Sequence, residues 1–463
     1  MDYQDIFAFV EARHTAYLDE LLEFLRIPSV STDPEHAADI HRAARWLSEQ
    51  LEHLEHEVRL IETAGHPVVY GERLVDPSLP TLLIYGHYDV QPADPLDEWI
   101  TAPFEPSLHQ GFVYARGATD NKGQHFTYLK AVDAILRTRG ELPLNTKFLL
   151  EGEEEIGSPH LANVLSDHRL ELTPDAIAIS DGSQFAPGMP AITYALRGLC
   201  YLQIDVQGPR FDLHSGSYGG VVANPIQVLC HLVAQLKRPD GSIAIPGFYD
   251  EVLPLAEWER QEMRELPFDE KAMLDYLGVH CFAGEDGYTV VERKAGRPTL
   301  DVNGIWGGFS GEGAKTIIPA RAGAKVSMRL VPNQRAETIN ALFKDFVASL
   351  APAGVEVKIE ELHGSDPVLV SRDRPAVQAA KRAIEQGFSR APLFIREGGS
   401  IPIVGLFHKI LACEDILLLG WGRPDDGAHS PNERFSVADF QSGIRSAAAL
   451  FFELAASLGS ADS

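Results

Sequence analysis

The chain is poor in cysteine. Its four thiols, Cys200, Cys230, Cys281 and Cys413, are scattered through 463 residues with no Cys-x-x-Cys pair. They read as reduced packing residues of a cytoplasmic protein. Long apolar runs are missing too. No stretch offers the ~18 uninterrupted apolar residues of a membrane span, and Met1-Asp2-Tyr3-Gln4-Asp5 lacks the basic-then-apolar order of a secretory signal. Basic charge is short as well: 40 Lys+Arg face 66 Asp+Glu, a formal net charge of −26. That balance repels phosphate backbones and anionic lipid, so neither nucleic acid nor a membrane surface is an expected partner. Gly308–Thr316 falls one residue short of a phosphate-binding loop, because Lys315 follows Ala314 instead of glycine and Glu312 lies inside. No Gly-x-Ser-x-Gly elbow surrounds Ser215 or Ser400.

What is present is ordinary globular composition, 45% hydrophobic and 23% charged, in a chain longer than the ~250–300 residues one core usually serves. Helical periodicity runs over 5–26 and 38–56, with Phe7, Val10, Leu18, Leu22 and Leu25 on one stripe. From 81 to 181, strand-like runs alternate with helical stretches such as Gln124–Arg139, as in parallel α/β construction. A short helix is expected to begin near Ser158-Pro159. After Asp181 the pattern changes to a long strand at Ala191–Val206, a helix at Asn224–Leu236, and strands at Thr299–Trp306 and Ala320–Leu330. A helix at Ala336–Leu350 and a strand at Val355–Glu361 follow. This order is ferredoxin-like, with 239–298 as an irregular excursion. Helices at Pro375–Gln386 and Val437–Leu458 return to the first domain. The expected fold class is therefore α/β: a mixed, mostly parallel sheet from 1–189 and 368–463, interrupted by an α+β ferredoxin-like domain at 190–367.

Five donor side chains follow apolar runs or glycine-rich turns. Leu82–Tyr85 breaks at Gly86 into His87-Tyr88-Asp89. Phe112–Ala115 leads through Gly117 to Asp120. Phe148–Leu150 leads to Glu153-Glu154-Glu155, and Ala176–Ile179 to Asp181. His429 stands far downstream. Ligands gather outside the carboxyl ends of strands in an open α/β sheet, so separate strands can bring these groups together. Asp89 is placed to accept the second ring N–H of His87, and one carboxylate, Asp120, can bridge two cations. With Glu155, Asp181 and His429 the set suits Zn²⁺, Mn²⁺ or Co²⁺. Three adjacent glutamates repel unless cations or separation relieve them. If Glu155 holds a metal, Glu154 can take the proton of the activated water. His53 and His56 lack an HExxH pattern and read as a solvated helix face; His125 and His160 read as incidental polar residues.

In order and spacing these segments resemble the M20 metallopeptidase family, most closely its carnosine and Cys-Gly dipeptidase branch. The likeness rests on Gly86–Pro92, Trp99 with Pro103-Phe104, Arg116–Gly123 and Glu151–Ser158. It continues through Asp212–Gly216, Arg396–Pro402 and Ala428-His429-Ser430. The resemblance implies two divalent ions per subunit, one on His87 and Asp181, the other on Glu155 and His429, with Asp120 bridging. It further implies Glu154 as general base, Asp89 as orienter of His87, and the insert as a lid and dimerisation domain of a homodimer. His214 would reach the partner's active site and stabilise the oxyanion; Arg329 would grip the substrate carboxylate, with Thr316 and Ser400 nearby. One departure is Asn121, where the branch usually carries a second Asp. The expected activity is hydrolysis of dipeptides or short peptides with a free C-terminal carboxylate. N-acyl-amino-acid hydrolysis by the same site and a catalytically silent metal or peptide binder are the alternatives.

Overall fold

The computed structural model describes residues 2–399 and 401–459. They divide into two compact units. One spans 1–194, 370–395 and 406–463; the other spans 195–369 and 396–405. In chain order the first unit opens with helices α1 (Gln4–Leu25) and α2 (Ala37–His53) and strands β1 (Glu57–Ile61), β2 (Val68–Arg73) and β3 (Thr81–His87). It continues with α3 (Lys122–Arg139), β4 (Asn145–Glu151), β5 (Ala176–Ser180) and β6 (Ala191–Leu196). The second unit supplies β7 (Gly198–Gln207), α4 (Pro225–Ala234), β8 (Thr299–Gly307), β9 (Arg321–Leu330), α5 (Ala336–Leu350) and β10 (Glu356–Ser365). The first unit then closes with α6 (Pro375–Phe388), β11 (Ile416–Leu419) and α7 (Val437–Leu458).

The first unit is built on a sheet in the order β1-β2-β4-β3-β5-β11-β6. Its middle pairs, β4 with β3, β3 with β5 and β5 with β11, are parallel, while β1/β2, β2/β4 and β11/β6 are antiparallel. Strands β4, β5 and nearly all of β3 are buried along their length, which is why they read as continuous apolar runs instead of alternating ones. Helix α3 packs against β3, α1 and α7, so most of its residues are buried, from Lys122 through Ile135. On α1 the buried stripe is Ile6, Val10, Tyr17, Leu18, Leu21, Phe24 and Leu25, the spacing of one helix face. Lys122 closes the end of that helix. Its buried Nζ donates to the carbonyls of Ile27 at 2.7 Å and Phe24 at 3.4 Å, satisfying terminal acceptors that a helix leaves open.

The second unit is a four-stranded antiparallel sheet in the order β8-β9-β7-β10. Leu202, Ile204 and Val206 of β7 and Ala324, Val326 and Met328 of β9 bury one face against Leu229 and Leu232 of α4 and Ile339, Phe343 and Val347 of α5. With its βαββαβ order this is the ferredoxin-like arrangement.

Several local expectations change. Ala191–Val206 is two strands, not one. The chain breaks at Arg197, and Gly198 lies so close to the Ser365 carbonyl that a Cβ there would approach to 2.5 Å. Phe112–Tyr114 belongs to a separate three-stranded sheet with Ser107–His109 and Arg434–Ser436, not to the main one. The helix expected at Ser158 starts at Leu161, because Ser158 adopts a left-handed φ of 49°. His56 is no surface helix residue: α2 ends at His53, Glu55 turns with φ 60°, and His56 becomes buried, bonded to Leu54 O and Thr146 Oγ1. Of the thiols, Cys200 and Cys413 are buried, but Cys230 and Cys281 are exposed.

Candidate metal centre

His87 ends β3, Glu153–Glu155 follow β4 and Asp181 follows β5, three neighbouring parallel strands whose carboxyl ends share one edge. Asp120 arrives from the loop before α3, and His429 from the loop after β11. Two groups of donors result, His87–Asp120–Asp181 and Asp120–Glu155–His429, the ligating atoms in each lying within 4.8 Å of one another. Asp120 belongs to both. Its Oδ1 is 3.1 Å from His87 Nε2 and its Oδ2 is 2.9 Å from His429 Nε2. Asp181 Oδ1 lies 3.7 Å from His87 Nε2, and Glu155 Oε2 lies 3.3 Å from His429 Nε2.

The electrostatics is that of a site built for positive charge. Burial works against a charged His87, but Asp120, Asp181 and Asp89 outweigh it and hold its pKa well above the usual imidazole range. Hydrogen bonds to Asp120 and Glu155 raise His429 to about 10. Asp120 is lowered: against burial, the two imidazoles keep it ionised.

The three consecutive glutamates are kept apart. Glu153 turns to His160 Nδ1, 2.8 Å away, and accepts from His66 N. Glu155 faces His429 and accepts from Gln91 Nε2 at 2.7 Å. Glu154 has no side-chain partner among the described residues. Burial, partly offset by His87 and reinforced by Asp181 and Glu155, pushes its carboxyl up to about 8. A proton acceptor at that range suits work near neutral pH.

The surrounding bonds orient the donors. Asp89 meets His87 through both its backbone and its side chain. The closest acceptor for His87 Nδ1 is the Asp89 carbonyl at 3.1 Å, while the Asp89 carboxylate is 3.5 Å away. That carboxylate also accepts from the backbone N–H groups of Glu154 and Glu155, at 3.2 and 3.1 Å. Asn121 donates to Ser180 O and Asp181 Oδ1, both at 2.7 Å, and its Oδ1 meets His125 Nδ1 at 3.2 Å. An ionised Asp there could not donate to Asp181. His125 and His160, read as incidental, therefore both contact residues of the centre.

Glu433 is the residue that sequence reasoning missed. Fully buried, it pairs with Arg116 and accepts from the backbone N–H groups of Gly117, Thr119 and Asp120, at 2.8 to 3.0 Å. It holds the loop that presents Asp120. The only hint in the chain is an acid four residues beyond His429.

His214, Thr316 and Arg329 belong to the second unit. His214 is exposed, and its Nδ1 accepts from Gly216 N at 3.0 Å, which leaves the ring proton on Nε2. His214 pairs across a two-residue ribbon with Ile317, and Ser215 N donates to Thr316 O. Arg329 is half-buried on the sheet face away from the helices, near Asp301. Ser400 lies outside the described residues.

A mixed sheet that gathers two donor sets around one shared carboxylate, with an acid at hand to move a proton, defines a two-cation hydrolytic class of protein. The chain belongs to peptidase family M20/M25/M40, which it matches over residues 83–453. It is 32% identical to the Cys-Gly metallodipeptidase of Schizosaccharomyces pombe, over 98% of this chain and 99% of that one. It is also 32% identical to the human Beta-Ala-His dipeptidase, over 98% and 92% respectively. The solved M20 family metallo-carboxypeptidase Sso-CP2 from Sulfolobus solfataricus superimposes with a TM-score of 0.84 at 34% identity, covering 95% of this chain and 99% of that one.

Proposed function

We propose that this protein is a dinuclear metal-dependent dipeptidase, hydrolysing dipeptides or short peptides that end in a free carboxylate. The observation that carries the reading is Asp120, whose two oxygens each face a different imidazole-containing donor set. The similarity to dipeptidases over nearly the whole chain supports it. The donors are imidazole and carboxylate without a thiolate, a chemistry that favours Zn²⁺ or Mn²⁺, with Co²⁺ a workable substitute. Such ions acidify a water and polarise the scissile carbonyl. The chain's residues do the rest. His87, Asp120, Asp181, Glu155 and His429 would hold the ions, and Asp89 steadies both His87 and the Glu154–Glu155 turn. Glu154 takes the water's proton on its carboxylate and passes it to the leaving amine. His214 would offer its Nε2–H to the oxyanion developing in the partner subunit's active site, and Arg329, with Thr316 and Ser400, would receive the substrate carboxylate.

The reading includes an inserted lid that makes a homodimer. Strand β8 is the outer strand of its sheet, and Val302, Ile305, Trp306 and Phe309 on and just beyond it are exposed, a row of apolar groups beside unpaired backbone that favours a partner. A cytoplasmic setting fits four free thiols; among the described residues no helix is long and apolar enough to cross a membrane. A panel of dipeptides, N-acetyl amino acids and amino-acid amides, assayed after loading with Zn²⁺, Mn²⁺ or Co²⁺, tests the proposal. Dipeptides should be cleaved best. Turnover of the acylated or amidated compounds with every dipeptide left intact would refute it, and binding without turnover would make the protein a silent binder.

A further inference from the structure

The second unit contains a cleft of about 340 Å³ lined by residues from 197, 237–241 and 282–301. Its charge runs against that of the chain. Arg197, Lys237, Arg293, Lys294 and Arg297 share its lining with two carboxylates, Glu285 and Asp301, while Glu397 acts on Arg197 from outside the lining, in a protein of net charge −26. Glu285 is already committed: Arg297 binds both its oxygens, at 2.8 and 2.7 Å, and its guanidinium lies over Tyr288. Asp301 is shared electrostatically between Arg197 and Arg329. The Arg293 Nε is buried with no hydrogen-bond partner, a cost that proteins seldom leave uncompensated. Burial first, and then the neighbouring Arg329, depress Arg197 to about 10 against the opposing pull of Glu397 and Asp301.

The walls are firmly set. Gly241, at φ 80°, lies so near the Gly284 carbonyl that a Cβ would come within 2.2 Å. Asp286 N donates to Asp240 O, Arg238 N donates to Ser242 O, and Lys237 bridges to Ile243. This hairpin carries Lys237 at the cleft, and the short helix Val290–Ala295 carries Arg293 and Lys294. The volume is at the small end of ligand sites, and forked guanidiniums match the oxygens of carboxylate and phosphate groups.

We propose that this cleft binds a small polyanion, an oxyanion or dicarboxylate of charge −2 or more, through Lys237, Arg293 and Lys294, with Arg197, whose Nε donates to the Gly398 carbonyl at 2.9 Å, adding positive charge at the wall. Arg197 neighbours Arg329, which the hydrolase reading assigns to the substrate carboxylate, but Lys237, Arg293 and Lys294 play no part in that reading, so its failure would leave this site standing. Its test is calorimetric titration of the full, metal-loaded chain near neutral pH with inorganic phosphate and, separately, with succinate. One saturable site per chain is expected for at least one anion, weakening as salt is added. Phosphate alone would identify a tetrahedral oxyanion ligand, and succinate alone a dicarboxylate. Lys237 is exposed, so Lys237→Ala leaves the fold undisturbed. It should weaken binding about ten-fold, the worth of one charge-assisted hydrogen bond, and Lys237→Ala with Arg293→Gln should weaken it further. Equal affinity in wild type and the double variant would place the anion elsewhere, for example at the metals, and overturn the proposal. So would the absence of saturable heat from either anion up to about 10 mM, weaker than a specific site of this size requires.

Discussion

The loops that carry the donors of the first unit and the loops that carry His214 and Thr316 in the second are held in opposite ways. Around Asp120, Glu155 and Asp181, buried acceptors and donors from Glu433, Asp89 and Asn121 fix the backbone and the side chains alike. His214 and Thr316 are exposed on a ribbon of two residues per strand. The difference separates two tasks. A centre that must hold like charges together needs its geometry imposed before any cation arrives. The substrate contacts proposed for His214 and Thr316 place no such demand on the ribbon that carries them.

The largest effect that would sharpen this contrast concerns Glu154, which has no side-chain partner among the described residues. Glu154→Gln should keep its metals by elemental analysis yet lose turnover about 10²–10⁴-fold; unchanged turnover removes it from the role of base. Glu433→Ala probes the imposed geometry. Leaving Arg116 buried without its carboxylate should cost about 3–5 kcal/mol in denaturant unfolding, whereas Thr316→Ala should cost almost nothing. A cost for Glu433→Ala no larger than for Thr316→Ala would erase the distinction between the two regions. Asn121→Ala removes the bond to Asp181 and should lower metal affinity roughly 10–100-fold by calorimetry. Acidification acts in the same direction. His429 binds its proton up to about pH 10 without metal, so an incoming cation must displace it, and affinity should fall as pH falls, with measurable proton release. The smallest effect is on the second unit: if the proposed dimer forms through β8, Ile305→Asp should shift it toward monomer in light scattering at low concentration while leaving metal content unchanged.

Much of the centre was legible because its donors sit directly after runs that could only be buried strands, and spacing alone put His87, Glu155 and Asp181 at one edge. The ferredoxin-like order of the insert was readable for the same reason, through alternation in β7 and β9 against two amphipathic helices. What escaped was long-range or depended on single backbone angles. Glu433 acts on residues more than 300 positions away, and no local pattern encodes such a pairing. Phe112–Tyr114 is three residues long, too short for periodicity to tell a small outlying sheet from a central one. His56 was displaced from its helix by the left-handed turn at Glu55. Asp89 was legible as a neighbour of His87, but its bonds to the Glu154 and Glu155 N–H groups were not, because they join it to a turn some 65 residues away.

The most direct test of a shared carboxylate is metal stoichiometry in single variants. Wild-type chain should bind two divalent ions, Asp181→Ala and His429→Ala one each, and Asp120→Ala neither with appreciable affinity. Two ions still held tightly by Asp120→Ala, or a single ion in the wild type, would contradict the account.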